Sequence, residues 1–495
     1  MLPLSVFAFN LHAENLLLLA SVLVFFAILI TKVGARFGAP SLLLFLLLGM
    51  ATGADGLGVT FQDYETAESI GHFAMTVILF TGGLETSLRE TKTVMRQGVL
   101  LSTAGVLLMT VLTGLFIYFI TRCGLGIPET SLIVCFLVAA IMSSTDSASV
   151  FSVLRTRRLQ LRENLGPLLE LESGSNDPMA YLLTILIVQL LSVAKDTGTA
   201  AAGLSVLMML VLQMAIGYGL GILLGKAATW ALEKIKLSSS SLYAIMILSI
   251  AFFSNGFSNL LFGNGLLTLY IVGIMVGNSD KLQYKKDVLK FFDAMTWLMQ
   301  LLMFLMLGLL ARPSQMGPVL LPALLIGVFM MLIARPASVF LTLLPFRGMS
   351  ARAKTLVSWV GLKGAGPILF ALYPVVTGVE GGAFIFNIVF CITLLSLVVQ
   401  GMTLRPAAKV LKLSYEEEPE VETFGLELPE EMGMLRNHTV TADDLKHAQD
   451  LRELHLPHGI RVVMVRREDK FLVPHGSMKL QEGDQLVIVM GETDD

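Results

Sequence analysis

Two carboxylic acids, Glu172 and Asp177, stand five residues apart in the stretch LESGSNDPMAYLLTIL (171–186), which begins a long apolar run. Ionised side chains are costly in apolar surroundings, so acids placed there are candidates for a functional role. Asp177 has no obvious basic partner, and Pro178 removes a backbone donor beside it. Because burial favours the neutral form of a carboxyl group, Asp177 can hold a proton or a cation, each displacing the other. That competition is the minimum chemistry of exchange; the alternative is a carboxyl group that stays protonated and hydrogen-bonded.

Glu172, in contrast, has an expected basic partner. Glu172 lies ten positions after Arg162, which at about 1.5 Å per helical residue is a depth of roughly 15 Å. Arg335 lies twelve positions before Arg347, a depth of roughly 18 Å on the same rise. Opposite charges at matching depth can both stay ionised by pairing. We therefore interpret Glu172 and Arg335 as a structural ion pair, with a part for Glu172 in ion coupling as the alternative.

Two further ionisable residues lie where the composition predicts an interrupted helix. Asp146 belongs to the polar run SSTDS (143–147), whose side chains compete for backbone hydrogen bonds. Lys363 lies among glycines and a proline in SWVGLKGAGPILF (358–370). Unwound backbone in a membrane lines a cavity, where Asp146 would offset N–H ends and Lys363 carbonyl ends of half-helices. The alternatives are a Ser/Thr-rich helix interface and simple close packing with a lysine that extends towards the membrane surface.

The composition is that of a membrane protein. Of 495 residues, 55% are hydrophobic and 15% charged, which predicts an all-α polytopic chain. The three cysteines have no paired spacing, so neither a disulfide framework nor a metal site is expected. No nucleophile–base pair or metal-ligand cluster suggests an enzyme, and no nucleic-acid partner is expected. No Lys or Arg precedes the first apolar run, which is expected to stay as a transmembrane helix.

Apolar stretches of about 17 residues or more, the length that crosses the hydrocarbon, define the membrane part. Thirteen spans are predicted, at 14–31, 40–54, 67–86, 98–120, 130–154, 164–193, 203–225, 241–259, 262–279, 291–310, 317–344, 353–374 and 382–404. With this topology, alternate loops hold 22 of the 27 Lys and Arg residues of positions 1–413. The excess of basic residues in cytoplasmic loops then predicts an N-terminus outside and a C-terminus in the cytoplasm.

The last 82 residues differ in charge from the membrane domain, 1–413. Residues 414–495 carry 8 basic and 19 acidic side chains, against 27 and 19 before them. We predict an acidic, solvated linker at 414–423 and a small α+β domain at 424–495. Its predicted strands and helix lie at 460–467, 470–474, 484–491 and 441–454. About 70 residues make a small core, so the domain is expected to pair with a second copy.

The membrane motifs resemble those of the cation-proton antiporter superfamily, in particular its NhaP-type sodium or potassium/proton antiporters. Four segments carry the resemblance in order along the chain: STDSASVF (144–151), ESGSNDP (172–178), LIARP (332–336) and WVGLKGAGP (359–367). The resemblance implies a homodimer with inverted repeats, in which a core bundle containing the crossed fifth and twelfth spans moves against a scaffold. It also implies electroneutral one-for-one exchange.

Specific roles follow from the resemblance alone. Asp177 would be the carboxylate shared by proton and cation, and Asn176 would help to hold Asp146. Thr145, Asp146 and Ser173 would complete the cation shell. Two positions depart from the usual pattern. Lys363 stands where arginine is usual, which keeps the charge but loses the planar fork. Ser147 replaces a proline, as in a potassium-transporting subgroup.

The tail resembles the C-terminal ligand-binding subdomain of RCK/TrkA-type potassium regulators, through DLRELHLPHGIRVVMVRREDKFLVPHG (450–476) and LQEGDQLVIVMG (480–491). The resemblance favours potassium over sodium and makes a nucleotide ligand at the domain possible. No other cofactor is expected. His455 and His458 could meet a metal, but a solvated or pH-responsive surface is the preferred interpretation.

These features together predict a potassium or sodium/proton antiporter of the bacterial plasma membrane, regulated by its cytoplasmic tail. One alternative is an RCK-gated cation channel, although no filter sequence such as TVGYG is present. Another is a carrier of non-ionic solutes on the same fold, which the Asn176–Asp177 pair and the Glu172/Arg335 pair disfavour.

Overall fold

The computed structural model describes residues 13–37, 40–123, 129–155, 159–193, 199–346, 348–416, 435–440, 445, 450–454, 460–467 and 470–490. The chain divides into two compact units, Met1–Glu416 and Glu417–Asp495.

The first unit is helical. Its helices are α1 (Ala13–Phe37), α2 (Ser41–Thr52), α3 (Tyr64–Glu85), α4 (Leu88–Thr91), α5 (Met95–Leu100), α6 (Val106–Ile120), α7 (Leu132–Ile141), α8 (Ser147–Arg155), α9 (Leu165–Val193), α10 (Thr199–Lys234), α11 (Ser240–Leu260), α12 (Gly265–Gly277), α13 (Lys285–Leu310), α14 (Gly317–Phe329), α15 (Arg335–Thr342), α16 (Ala351–Trp359), α17 (Ala365–Phe370), α18 (Leu372–Val376) and α19 (Gly382–Val410). Two short strands, β1 (Leu159–Leu161) and β2 (Ser414–Glu416), pair antiparallel. Several helices begin where a polar side chain accepts a backbone N–H, as at Ser131, Ser239 and Asn264.

Seven helical segments in the described part of the chain are long and apolar enough to cross a membrane. Shorter apolar helices lie at 18–32, 41–52, 132–141, 265–277 and 365–376. The fold class, a polytopic helical membrane protein with a small C-terminal part that contains a β-sheet, is confirmed. One to three helices overlap each of the thirteen predicted ranges, whereas the number of crossings stays a prediction.

Both predicted helix interruptions are present. The fifth predicted span is divided into α7, which ends at Ile141, and α8, which begins at Ser147. The twelfth predicted span is divided in the same way, because α16 ends at Trp359 and α17 begins at Ala365. The two unwound segments meet, because the N–H of Asp146 donates to the carbonyl oxygen of Leu362 at 2.9 Å. Each break therefore supplies hydrogen-bonding partners to the other.

A π-helical turn precedes each interrupted helix. Leu101–Gly105 joins α5 to α6, and Met330–Ala334 joins α14 to α15. The two turns belong to neighbouring helices, since the Ser338 hydroxyl donates to the Gly105 carbonyl oxygen at 2.7 Å. The order of a π turn followed by an interrupted helix thus occurs twice along the chain. Single π turns are frequent at functional sites.

The second unit contains one antiparallel sheet of four strands in the order β3-β6-β4-β5. Its strands are β3 (Leu435–Thr439), β4 (Ile460–Arg467), β5 (Lys470–Leu472) and β6 (Gln485–Met490). The three predicted strands are confirmed, and β3 was not predicted. The buried core contains Val440, Val465, Met478, Leu480, Leu486 and Ile488.

Two predictions for the tail, the helix 441–454 and the solvated linker 414–423, differ in part from the structure. Most of the predicted helix 441–454 lies outside the described residues, but its end is wrong: Asp450 forms a β-bridge with Lys479, and 451–454 form a turn and a bend. Backbone bonds from Leu451 to Met478 and from Arg452 to Gly476 hold this end, so pairing overrides local helix propensity. In the predicted linker, Ser414–Glu416 form β2, and 417–423 lie outside the described residues.

Candidate ion-binding site

Asp146 immediately precedes the half-helix α8. Its carboxylate accepts hydrogen bonds from the backbone N–H of Ser149, at 3.1 Å, and from the Ser149 hydroxyl. Asp146 therefore caps α8, with its charge at the positive end of the helix. The side chain is half-buried and faces two cavities.

Two polar residues of α9, one turn apart, hold the unwound segment before α8. The Asn176 amide donates to the Thr145 hydroxyl at 2.6 Å and accepts the Thr145 N–H at 3.4 Å. The Ser173 hydroxyl donates to the Thr145 carbonyl oxygen at 2.7 Å and accepts the Ser147 N–H at 3.0 Å. The resemblance implied that Asn176 holds Asp146; in the structure these bonds hold Asp146 through its neighbours in the chain.

Asp177 follows Asn176 and is half-buried. It lines a cavity of about 40 Å³ together with Asp146, Ser144 and Gly366. The same cavity is also lined by Gln300. Two carboxylates, a hydroxyl and a carboxamide thus face one small space, and oxygen atoms of these kinds are ligands for alkali-metal cations. No group of three or more His, Cys, Asp or Glu side chains that could hold a metal ion is found among the described residues.

Lys363 is 4% exposed and bridges the two breaks. Its ammonium group donates to the Ser144 carbonyl oxygen at 2.7 Å, beyond the end of α7. Its backbone N–H donates to the Ser396 hydroxyl at 2.9 Å, and that hydroxyl donates to Gln400 at 2.6 Å. The Gln400 amide in turn donates to the Trp359 carbonyl oxygen at the end of α16, at 2.9 Å.

Ser396 and Gln400 were not predicted from the sequence. They lie four residues apart on α19, so their side chains share one helix face. Each satisfies a backbone group that the break in the twelfth predicted span leaves without a helical partner. Two polar residues one turn apart in the largely apolar middle of the helix were the available signal.

Glu172 and Arg335 are in contact in the structure. The Arg335 guanidinium lies 2.6 Å from the Glu172 carboxylate, and their side chains are 5% and 1% exposed. Arg335 also donates to the Val357 carbonyl oxygen at 3.4 Å. A Cβ at Gly361 would lie 2.8 Å from the Arg335 Nε, so glycine leaves the space that the arginine occupies. The pair joins α9 to α15 and to α16.

A larger cavity of about 400 Å³ leads to Asp146 and Asp177. Three further acids line it: Glu85 at the end of α3, Glu170 on α9 and Asp293 on α13. No basic side chain is among the lining residues in the described part of the chain. A cavity lined by acids concentrates cations near its end. Sequence reasoning missed these acids, because each lies within seven residues of the end of a predicted span, where a charged residue is common.

Aromatic side chains pack on α9 beyond Asp177. Tyr181 lies one turn further along, with its ring centroid 5.3 Å from that of Phe370 and 5.7 Å from that of His72. Phe370 is 1% exposed. The site therefore has an acidic cavity on one side and a packed aromatic cluster on the other.

In the tail unit, Arg467 forms an ion pair with Asp484. Its guanidinium donates to both carboxylate oxygens of Asp484, at 2.9 and 2.8 Å. Burial alone would raise the pKa of Asp484, but hydrogen bonds from Arg467 and from the Gln481 N–H hold it below its usual value. His455 and His458, whose pH-responsive role stays a prediction, lie outside the described residues.

The chain is similar to known proteins over nearly its whole length. A family model described as "Sodium/hydrogen exchanger, transmembrane" matches residues 21–410, and a TrkA-C domain model matches residues 438–494. A "K(+)/H(+) antiporter NhaP2" of Shewanella sp. (strain MR-4) is 36% identical over 482 residues, 96% of this chain and 81% of that protein. A "K(+)/H(+) antiporter NhaP" of Alkalimonas amylolytica is 35% identical over 484 residues, 97% and 82% of the two chains.

The fold is similar to that of a solved structure, the sodium proton antiporter MjNhaP1 of Methanocaldococcus jannaschii. The TM-score is 0.65 at 22% sequence identity, and the match covers 77% of this chain and 97% of the other.

Proposed function

Because this chain belongs to the sodium/hydrogen exchanger family, we propose that it exchanges potassium ions for protons across the bacterial plasma membrane, with Asp177 as the shared carboxylate. One observation carries this proposal: Asp177 and Asp146 face the same small cavity at the junction of two interrupted helices. Relatives named K(+)/H(+) antiporters, 35–36% identical over nearly the whole chain, support potassium as the cation. The TrkA-C domain is a second argument for potassium.

Each acid has a distinct role in this mechanism. Asp146 stays ionised, because Ser149 donates two hydrogen bonds to it and the α8 N-terminus faces it. Asp177 changes state: ionised, it binds the cation beside Asp146, and protonated, it releases the cation. The Asp177 site is neutral with either a cation or a proton bound. Exchange is therefore one cation for one proton, without net charge movement.

The cytoplasmic side is the side to which the acidic cavity opens. Glu85 precedes the basic loop with Arg89, and Asp293 follows the basic segment that includes Lys290. The distribution of basic residues puts these loops in the cytoplasm, with the N-terminus outside and the C-terminus inside. Tyr181, Phe370 and His72 then close the path to the outside. Alternating access requires this cluster to separate while the acidic cavity closes.

The C-terminal domain regulates exchange in this proposal, and two chains form a homodimer. The strand β2, which begins the connection to that domain, pairs with β1, and β1 follows the half-helix α8. The Arg405 guanidinium of α19 donates two hydrogen bonds to the Val153 carbonyl oxygen on α8, at 3.0 and 2.7 Å. These contacts give the start of the tail a direct connection to the half-helix that Asp146 caps. A nucleotide ligand of the tail stays a prediction, and Arg467 is already used by Asp484.

Cation-induced collapse of an imposed pH gradient in everted vesicles tests the proposal, with potassium, sodium and lithium compared. We expect potassium to collapse the gradient in the wild type and Asp177→Asn to remove the response. Gln189→Ala, at an exposed helix position, is the control and should behave as wild type. Exchange at the wild-type rate in Asp177→Asn would refute the assignment of the carboxylate. Cation flux without countermovement of protons would refute antiport and favour a channel.

A further inference from the structure

Gln300 on α13 faces the site although it belongs to none of the recognised motifs. Its side chain is 8% exposed. It lines both the 400 Å³ cavity and the 40 Å³ cavity, and Asp146 and Asp177 line both as well. Among the described residues, the Gln300 amide makes no hydrogen bond. The amide atoms of Gln300 are not among the fully buried polar atoms that lack a partner, so they are accessible from the two cavities, where a bound cation can be their partner.

The helix that carries Gln300 is anchored separately from the carboxylates. Helix α13 packs mainly against α2 and α3. A Cβ at Gly308 would collide with the Leu46 carbonyl oxygen of α2, so these two helices are in backbone contact. One turn before Gln300, the Thr296 hydroxyl donates to the Thr81 hydroxyl of α3 at 2.9 Å. Gln300 thus reaches the cavity from a firmly held helix opposite the interrupted pair.

The chemistry of a carboxamide suits a large monovalent cation. Its carbonyl oxygen is neutral, so its electric field at the cation is weaker than that of a carboxylate. Selectivity between potassium and sodium depends on cavity size and on the number and field strength of such oxygen ligands. Weak-field ligands penalise the smaller, more strongly hydrated sodium ion, whereas two carboxylates alone favour it.

We propose that the carboxamide oxygen of Gln300 is a cation ligand that sets the preference for potassium over sodium. This inference rests on the proposed exchange at Asp177 and adds the residue that determines its specificity. The ligand comes from α13, whereas Asp146 and Asp177 come from the segment before α8 and from α9. If the interrupted helices move relative to α13, the two carboxylates move away from the Gln300 oxygen. Potassium binding then weakens.

The test compares apparent KM values for potassium and sodium in everted vesicles containing the full-length protein. Gln300→Met keeps nearly the same shape without the oxygen, and Gln300→Glu keeps an oxygen but strengthens its field. We expect Gln300→Met to raise the KM for potassium about tenfold, the effect of losing one good ligand, and the KM for sodium much less. Gln300→Glu should lower the KM for sodium relative to that for potassium. Gln189→Ala should change neither value.

The outcomes separate this inference from the proposed function. A potassium-to-sodium KM ratio that stays at the wild-type value in Gln300→Glu overturns the inference, even if Gln300→Met fails to fold. Loss of exchange of both cations in a folded Gln300→Met also overturns the inference. Gln300 would then be required for the transport cycle itself and not for the choice between potassium and sodium. If the wild type itself exchanges neither cation for protons, the proposed function fails instead. Potassium-dependent thermal stabilisation of each purified variant reports binding independently of transport.

Discussion

Glu172 and Asp177 lie on one helix, yet their surroundings give them different chemistry. Glu172 has Arg335 at 2.6 Å, and both side chains are almost fully buried. Asp177 faces a cavity that it shares with a second acid. The first arrangement holds a charge in place, and the second lets a charge be exchanged for a proton.

The ion pair leads to a stability prediction. Removing one partner of a buried pair leaves the other charge uncompensated, which costs about 3–5 kcal/mol, whereas replacing both is often nearly neutral. We expect Glu172→Leu and Arg335→Met each to lower the melting temperature of the detergent-solubilised protein. The double variant should be more stable than either single variant. Effects of the single changes that add up in the double variant would contradict a direct interaction.

At this scale the sequence predicts residues that break a pattern. Glu172, Asp177, Arg335 and Lys363 stand out because each is ionisable within an apolar run. Gln300 does not stand out, because it is uncharged and its helix also contains the ionisable residue Asp293. Its relation to Asp177 depends on how α13 packs against the interrupted helices, and no local spacing encodes that.

At the scale of elements, the two unwound segments form one structural unit. Asp146 N–H reaches the Leu362 carbonyl, and Lys363 reaches the Ser144 carbonyl. Each unwound segment therefore satisfies backbone groups that the other exposes, which a membrane interior requires. Both interruptions could be predicted from glycine, proline, serine and threonine content. The support from Ser396 and Gln400 on α19 could not, because it depends on tertiary packing.

Close approach of the unwound segments gives a second prediction. A Cβ at Gly364 would overlap the carboxylate of Asp146. We expect Gly364→Ala to displace Asp146 and to lower the exchange rate at least tenfold, about 1.4 kcal/mol or more in the barrier. Gly256→Ala is the matched control, because a Cβ there meets no heavy atom within 4 Å. The initial rate of gradient collapse measures both. A Gly364→Ala protein as active as Gly256→Ala would argue against a fixed Asp146.

At the scale of the whole molecule, the last helix connects the elements of the site with the start of the tail. Within the first unit, α19 holds the break near Lys363 through Ser396 and Gln400 and holds α8 through Arg405. It is followed by β2, which pairs with β1. The sequence predicted a solvated linker from 414, because the charge pattern there is acidic. The strand forms because its partner, Leu159–Leu161, comes from a distant part of the chain.

The β1–β2 pairing gives a prediction about regulation. Proline cannot donate to a strand ladder, so Tyr415→Pro should weaken the pairing. Tyr415→Phe removes only the side-chain bond from the Tyr415 hydroxyl to Gln160, at 2.6 Å, and serves as the control. We expect deletion of 417–495 to retain exchange but to alter its dependence on pH and cation concentration, and Tyr415→Pro to reproduce that change. Wild-type dependence in Tyr415→Pro would contradict transmission through β1 and β2.

One carboxylate, Asp177, binds the cation and the proton alternately in this account. Proton release on cation binding tests this most directly. Potassium can be titrated calorimetrically into the purified full-length protein in two buffers of different ionisation enthalpy, which yields the number of protons released per cation bound. We predict close to one proton per potassium ion for the wild type, at a pH where the empty site is protonated, and none for Asp177→Asn. Potassium binding without proton release in the wild type, or unchanged release in Asp177→Asn, would contradict the claim.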